Sequence, residues 1–149
     1  MHPNPYRRFF LMLAVSFVVM YVVMYLNTYE LGDVYPSLMR FYMTVLMVAP
    51  MALIMLLFMR HMYTNQRQNL LIAAGCLGVF AGTFALMRTQ TFVNDRRWVQ
   101  AMIPHHSIAI LTSERASLQD PEVRRLAHDI IQAQRREIAQ MKQMLKRLK

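Results

Sequence analysis

One cysteine, one tryptophan, four glycines and eight acidic residues are all that this 149-residue chain carries of those types. Each scarcity excludes something. Cys76 stands alone, so no internal disulfide can form and cysteine usage says nothing of redox compartment. Its place in an apolar run marks it as a small buried hydrophobe. Glycine is too sparse for a phosphate-cradling loop, and Gly-x-Ser-x-Gly, His-Glu-x-x-His and Cys-x-x-Cys are all absent. No long internal repeat or low-complexity segment stands out. The shortage of acids against 17 Lys and Arg leaves a formal charge of +9.

Charge is also missing locally, and this is the more informative absence. Phe9 to Leu26, Phe41 to Met59 and Leu70 to Met87 are almost free of charged residues. Each is near the roughly 20 residues that cross a hydrocarbon core as a helix. Residues 1–90 therefore read as a three-helix transmembrane anchor and 91–149 as an extracytoplasmic helical hairpin. Arg7 and Arg8 ahead of the first run are reminiscent of a secretory signal. The run is long for one, keeps Tyr and Met to its end, and meets no small-x-small cleavage site at Asn27-Thr-Tyr-Glu, so it reads as a retained anchor. Arg7, Arg8, Arg60 and Arg67 place the N-terminus and second connection in the cytoplasm. The first connection has Glu30 and Asp33, with Arg40 only at its far edge. Three spans then deliver the C-terminus to the outer side of a bacterial cytoplasmic membrane, in the periplasm or its equivalent. Tyr21, Tyr25, Tyr29, Tyr35, Tyr42 and Tyr63 fall where interfacial aromatics would.

Chemistry concentrates between Trp98 and Met141. Taken as a helix at about 100° per residue, with Met102 at the centre, His105 and His106 border the same face as Trp98, Val99, Ala109 and Ser113. Pro104 removes one backbone hydrogen bond there and predicts a kink. Asp120-Pro121 offers an N-cap and a first helical residue, which predicts an antiparallel second helix after a short turn. Asn94 or Asp95 is placed to cap the first. On the second helix a stripe centred on Ile130 takes in Val123, Leu126, Ala127, Gln134, Glu137, Met141 and Leu145. A carboxylate in an apolar stripe needs a partner, a hydrogen bond or a cation, so Glu137 asks for one. His128 falls on the opposite, cationic side with Arg135, Lys142 and Lys146, and reads as surface. Fold-back brings Met102, His105 and His106 near Gln134, Glu137 and Met141. Thioether sulfur favours Cu(I), and imidazole suits several transition metals, so the donor set leans to copper. Helix packing is the plain alternative for the same Met and His.

The run Met102-Ile-Pro-His-His106, then Asp120-Pro-Glu-Val-Arg-Arg-Leu-Ala127, Ile130-Ile131, Gln134, Glu137-Ile138-Ala-Gln-Met141 and Leu145, resembles the bacterial domain-of-unknown-function 305 family. The resemblance covers about the last third of the chain. It implies a ferritin-like helical fold, copper binding as in some secreted or periplasmic members, and Met102, His105, His106, Glu137 and Met141 as ligands. Where the family commonly has a second Met, this chain has Leu111-Thr112-Ser113, which implies a weaker or differently composed site. Ferritin-like bundles can host oxidase chemistry, but their carboxylate cluster is missing here, so no enzyme is expected.

Met39, Met43, Met47, Met51, Met55 and Met59 recur every fourth residue, a ridge turning about 40° per step. Gly78 and Gly82 form Gly-x-x-x-Gly, a close-packing signal in membrane helices. With three spans these features resemble eukaryotic high-affinity copper transporters, although Pro50 is expected to interrupt the second span and the orientation is opposite. Packing or lipid contact is the preferred reading of the ridge, and Cu(I) transport through Met43, Met47, Met51 and Met55 the alternative. A two-helix hairpin buries too little surface to stand alone. Ile103, Ile108 and Leu111 lie off its main stripe, so a homo-oligomeric four-helix bundle, or cover by the spans, is expected. The leading expectation is an all-α, membrane-anchored copper-binding protein that captures or buffers the ion and hands it to a partner protein. A structural interaction module with basic faces toward anionic lipid is the further alternative. Nucleic acid is not an expected partner, because the basic helices lie outside the membrane in this topology.

Overall fold

A computed structural model describes residues 5–148. The elements are α1 (Pro5–Val23), a 3₁₀ turn (Leu31–Asp33), α2 (Leu38–Phe58), α3 (Gln66–Thr89), α4 (Asp95–Arg115) and α5 (Pro121–Arg147). No strand occurs among the described residues, and the all-α class holds. The chain divides into two compact units: residues up to Val23 with Met39–Thr91, and Met24–Leu38 with the chain from Phe92 onward.

In the first unit, α1, α2 and α3 have mean hydropathies of 1.7, 2.3 and 2.2 and are long and apolar enough to cross a membrane. Pro5, with φ preset for a first helical turn, starts α1 ahead of the expected Phe9, so Arg7 and Arg8 lie inside the helix. Packing gathers around Phe9, Ala52, Leu56 and Tyr63, with Met55 and Met59 against them. The Tyr6 hydroxyl donates to Asn69 Oδ1 at 2.9 Å, and Asn69 Nδ2 donates to the Tyr63 carbonyl at 2.7 Å. Tyr42 is buried and donates to the Thr91 carbonyl at 3.1 Å. Tyr42 and Tyr63, expected as interfacial aromatics, are thus buried packing residues, and the Tyr42 hydroxyl is also hydrogen-bonded. Pro50 does not interrupt α2, which is continuous across it. Along the methionine ridge Met43 and Met47 are exposed whereas Met55 packs into the cluster, as a winding ridge requires. The close approach expected at Gly78 and Gly82 is absent among the described residues: a Cβ on either would meet nothing within 4 Å.

The second unit is an antiparallel hairpin of α4 and α5, in which Arg96 meets Leu148 and His106 meets Glu137. Its termini follow the expected local signals. Asn94 Oδ1 accepts from the Arg97 amide at 2.9 Å, and Asp120 Oδ1 accepts from the Glu122 and Val123 amides at 2.8 and 2.9 Å, with Pro121 as first helical residue. Asp120→Ala is expected to cost about 1 kcal/mol, read as a lower midpoint of thermal unfolding. α4 runs unbroken through Pro104, which is buried.

The hairpin core is Val99, Ile103, Ile110, Ile138 and Met141, with Ile103 fully buried. This corrects the phase of both expected stripes. The buried line of α4 runs through Val99, Ile103 and Ile110, and that of α5 through Ala127, Ile138 and Met141. Val123 and Leu126 are left 46% and 60% exposed. The reason is cover that the sequence did not reveal: Tyr29 and Tyr35 of the first connection pack on the hairpin core. Residues Met24–Leu38, assigned from the sequence to the anchor, belong to the C-terminal unit.

Candidate metal site on the C-terminal hairpin

Ile103 and Ile110 mark the inward side of α4, so His106, between them in the helical turn, comes in beside α5 while His105 points outward. His106 Nδ1 lies 2.9 Å from Glu137 Oε2, with the imidazole 16% and the carboxylate 49% exposed. Nδ1 is nonetheless buried with no hydrogen bond of acceptable direction. The separation is real but the alignment is not that of a hydrogen bond, so the geometry is an electrostatic contact at most. A buried imidazole nitrogen in that state, facing a carboxylate, is a donor pair suited to a cation.

The other expected ligands divide. Met141 is in the core cluster and the partly buried Met102 packs against that cluster, so both belong to the hairpin core rather than to its solvated side. His105 is exposed, its ring centroid 6.3 Å from that of His106. Glu137 sits at the flank of the buried line of α5 rather than within it, which is why it is half exposed. Among the described residues no group of three or more His, Cys, Asp and Glu is placed to hold a metal ion. A site of the expected composition within one chain therefore rests on His106 and Glu137, with Met102 and Met141 as the remaining donors.

A polar network that the sequence did not disclose lies one residue along each helix. Asp33 is 2% exposed. Its Oδ2 accepts from the Ser107 hydroxyl at 2.7 Å, and the same Ser107 oxygen accepts from the Tyr29 amide at 3.0 Å. Asp33 Oδ1 lies 2.5 Å from Lys142 Nζ, an ion pair with no further hydrogen bond to that oxygen. The Asp33 carboxylate, by hydrogen bond and charge, holds the Lys142 ammonium above the ordinary lysine range, against partial burial that pulls it down. Lys142, expected on the surface, thus pins the first connection to α5, and Ser107 pins it to α4. The Tyr29 phenol is likewise held above its usual range, chiefly by a hydrogen bond with Glu114. The available signal was an acid in a short loop otherwise rich in tyrosine, and nothing local pointed to its partners.

Residues 82–148 match the family described as Domain of unknown function (DUF305). The chain is 36% identical over 140 residues to the uncharacterized protein L153 of Acanthamoeba polyphaga mimivirus, covering 91% of this chain and 89% of that protein. That similarity takes in most of the apolar N-terminal part as well as the hairpin. No solved structure matches. The chain belongs to the same family as this mimiviral protein, and its C-terminal hairpin is a DUF305 domain.

Proposed function

We propose that this is a membrane-anchored copper-binding protein whose hairpin, on the outer side of a cytoplasmic membrane, captures or buffers copper ions and passes them on without turning over a substrate. The observation that carries the reading is the buried, unbonded His106 Nδ1 facing Glu137 Oε2 at 2.9 Å. His106 and Glu137 would hold the ion, with Met102 and Met141 supplying soft sulfur that selects copper over Mg²⁺, Ca²⁺ or Zn²⁺. His105, on the exposed side of α4, is placed to receive or release the ion rather than to enclose it.

The topology has independent support. Met24–Leu38 packs with α4 and α5 in one unit, while α2 and α3 lie between them in the chain. Two crossings return a chain to its starting side, so spanning by both α2 and α3 agrees with this packing, as spanning by one alone does not. Arg7, Arg8, Arg60 and Arg67 then favour an inner N-terminus. Val123 and Leu126 remain exposed on α5, and a second hairpin covering them completes a four-helix bundle.

The reading is tested by titrating the detergent-solubilised full chain with copper against a chromogenic chelator, beside His106→Ala and Glu137→Gln. The alternative, conduction of Cu(I) along α2, predicts that replacing Met47 and Met51 by leucine abolishes copper movement across vesicles. Because Met47 is exposed and the ridge turns from open to packed, that pair of substitutions is expected to leave copper flux and hairpin binding unchanged.

A further inference from the structure

The antiparallel hairpin brings its beginning and its end together. Arg96 Nη1 donates to the Leu148 carbonyl at 2.5 Å, so the first turn of α4 lies beside the last turn of α5. Four cations, Arg96, Arg97, Lys146 and Arg147, gather there against the single acid Asp95, and all four are exposed. Lys146 and Arg147 have no ion-pair or hydrogen-bond partner among the described residues. Beside them is an apolar cleft of about 260 Å³ lined by Trp98, Val99, Met144 and Leu148, with Asp95 and Arg147 at its edge. Trp98 is 51% and Phe92 66% exposed.

This end is also tethered. α3 finishes at Thr89 and α4 begins at Asp95, leaving five residues between them. Five residues reach no more than about 20 Å even when extended. Given that α3 crosses a bilayer, the start of α4 cannot leave the headgroup layer by more than that distance. An amphipathic indole, an apolar cleft and unpaired cations at that level fit a lipid whose phosphate meets the cations and whose chain enters the cleft.

We propose that the α4-start and α5-end of the hairpin form a docking surface for the anionic phospholipid headgroups of the bilayer that anchors the chain. The inference rests on the spanning part of the proposed function and is independent of copper. It predicts a hairpin held against the membrane, with Trp98 in the interfacial layer.

Trp98 is the chain's only tryptophan, so its fluorescence reports on this surface alone. The full chain is reconstituted into vesicles of phosphatidylcholine and of phosphatidylcholine with phosphatidylglycerol. With the anionic lipid, emission is expected to move to shorter wavelength and acrylamide quenching to fall several-fold. Both changes should reverse in high salt, and in Lys146→Gln with Arg147→Gln, which removes no hydrogen bond of the fold. Identical emission and quenching in the two vesicles, or an undiminished response in the double variant with its helix content intact, would overturn the proposal. Alkaline carbonate separates the two failures. A chain that it extracts was never spanning, and both readings fall; a chain that resists extraction while Trp98 stays unresponsive sinks the headgroup surface only.

Discussion

Lys142→Met is expected to destabilise the C-terminal unit by about 3 kcal/mol, near the lower end of what removing one partner of a buried ion pair costs. The lower end applies because Lys142 is one-third exposed, and water screens its half of the pair, whereas Asp33 is almost wholly buried. Without Lys142 the Asp33 carboxylate keeps, among the described residues, only the Ser107 hydroxyl. Asp33→Asn combined with Lys142→Met should recover a large part of the loss, since no charge then remains buried. The measurement is thermal unfolding of the full chain in detergent, followed by protease cleavage within Met24–Leu38. Cleavage as slow in Lys142→Met as in the parent chain would show that the pair does not hold this connection down. The pH dependence has a definite sign. Lys142 titrates above the ordinary lysine range in the folded chain, so its contribution is complete below that range and fades only as pH rises through the higher folded value.

His106→Ala and Glu137→Gln should each weaken copper binding by about a hundredfold, the upper end of the effect seen when even an outer-shell partner of a metal ligand is lost. His105→Ala should have a far smaller effect at equilibrium and a larger one on the rate of transfer to a chelator, because His105 is exposed and faces away from Glu137. Met141→Leu, which keeps the core volume, isolates the thioether from the packing of a buried residue. Equal copper affinity in the parent chain, His106→Ala and Glu137→Gln would move the function away from the hairpin interior altogether.

What could be read from the sequence was whatever depends on near neighbours. Asn94 and Asp120 announce helix starts because a capping side chain bonds to amides two or three residues away. The three apolar runs announce long helices because composition alone sets their hydropathy. That fold-back brings the His105–His106 group toward Glu137 also followed from local spacing and one short turn, but not which of the two histidines meets the carboxylate. The phase of the buried faces did not follow, because a helix buries whichever side receives cover, and here the cover comes from Tyr29 and Tyr35, far away in the chain. Lys142 looks like a solvated cation on any helical wheel until Asp33 is placed beside it. The tyrosines misled for a similar reason. Their amphipathic rings suit a membrane interface and a protein interior equally well; Tyr42 and Tyr63 are both buried in the chain, and the Tyr42 hydroxyl also satisfies the Thr91 carbonyl.

The strap of residues Met24–Leu38 changes what counts as the module. Sequence similarity marks residues 82–148 as the DUF305 domain, yet Asp33 and Ser107, which bond to each other, are 74 residues apart. A fragment cut at the similarity boundary takes away Tyr29 and Tyr35 and leaves Lys142 without its carboxylate. During synthesis the strap is made well before α4 and α5, and its contacts with Ser107 and Lys142 cannot form until both helices exist. The stretch matched by the DUF305 family and the packed unit of this chain therefore differ: the first is contiguous, and the second joins two segments separated in the chain by two helices long enough to span a bilayer.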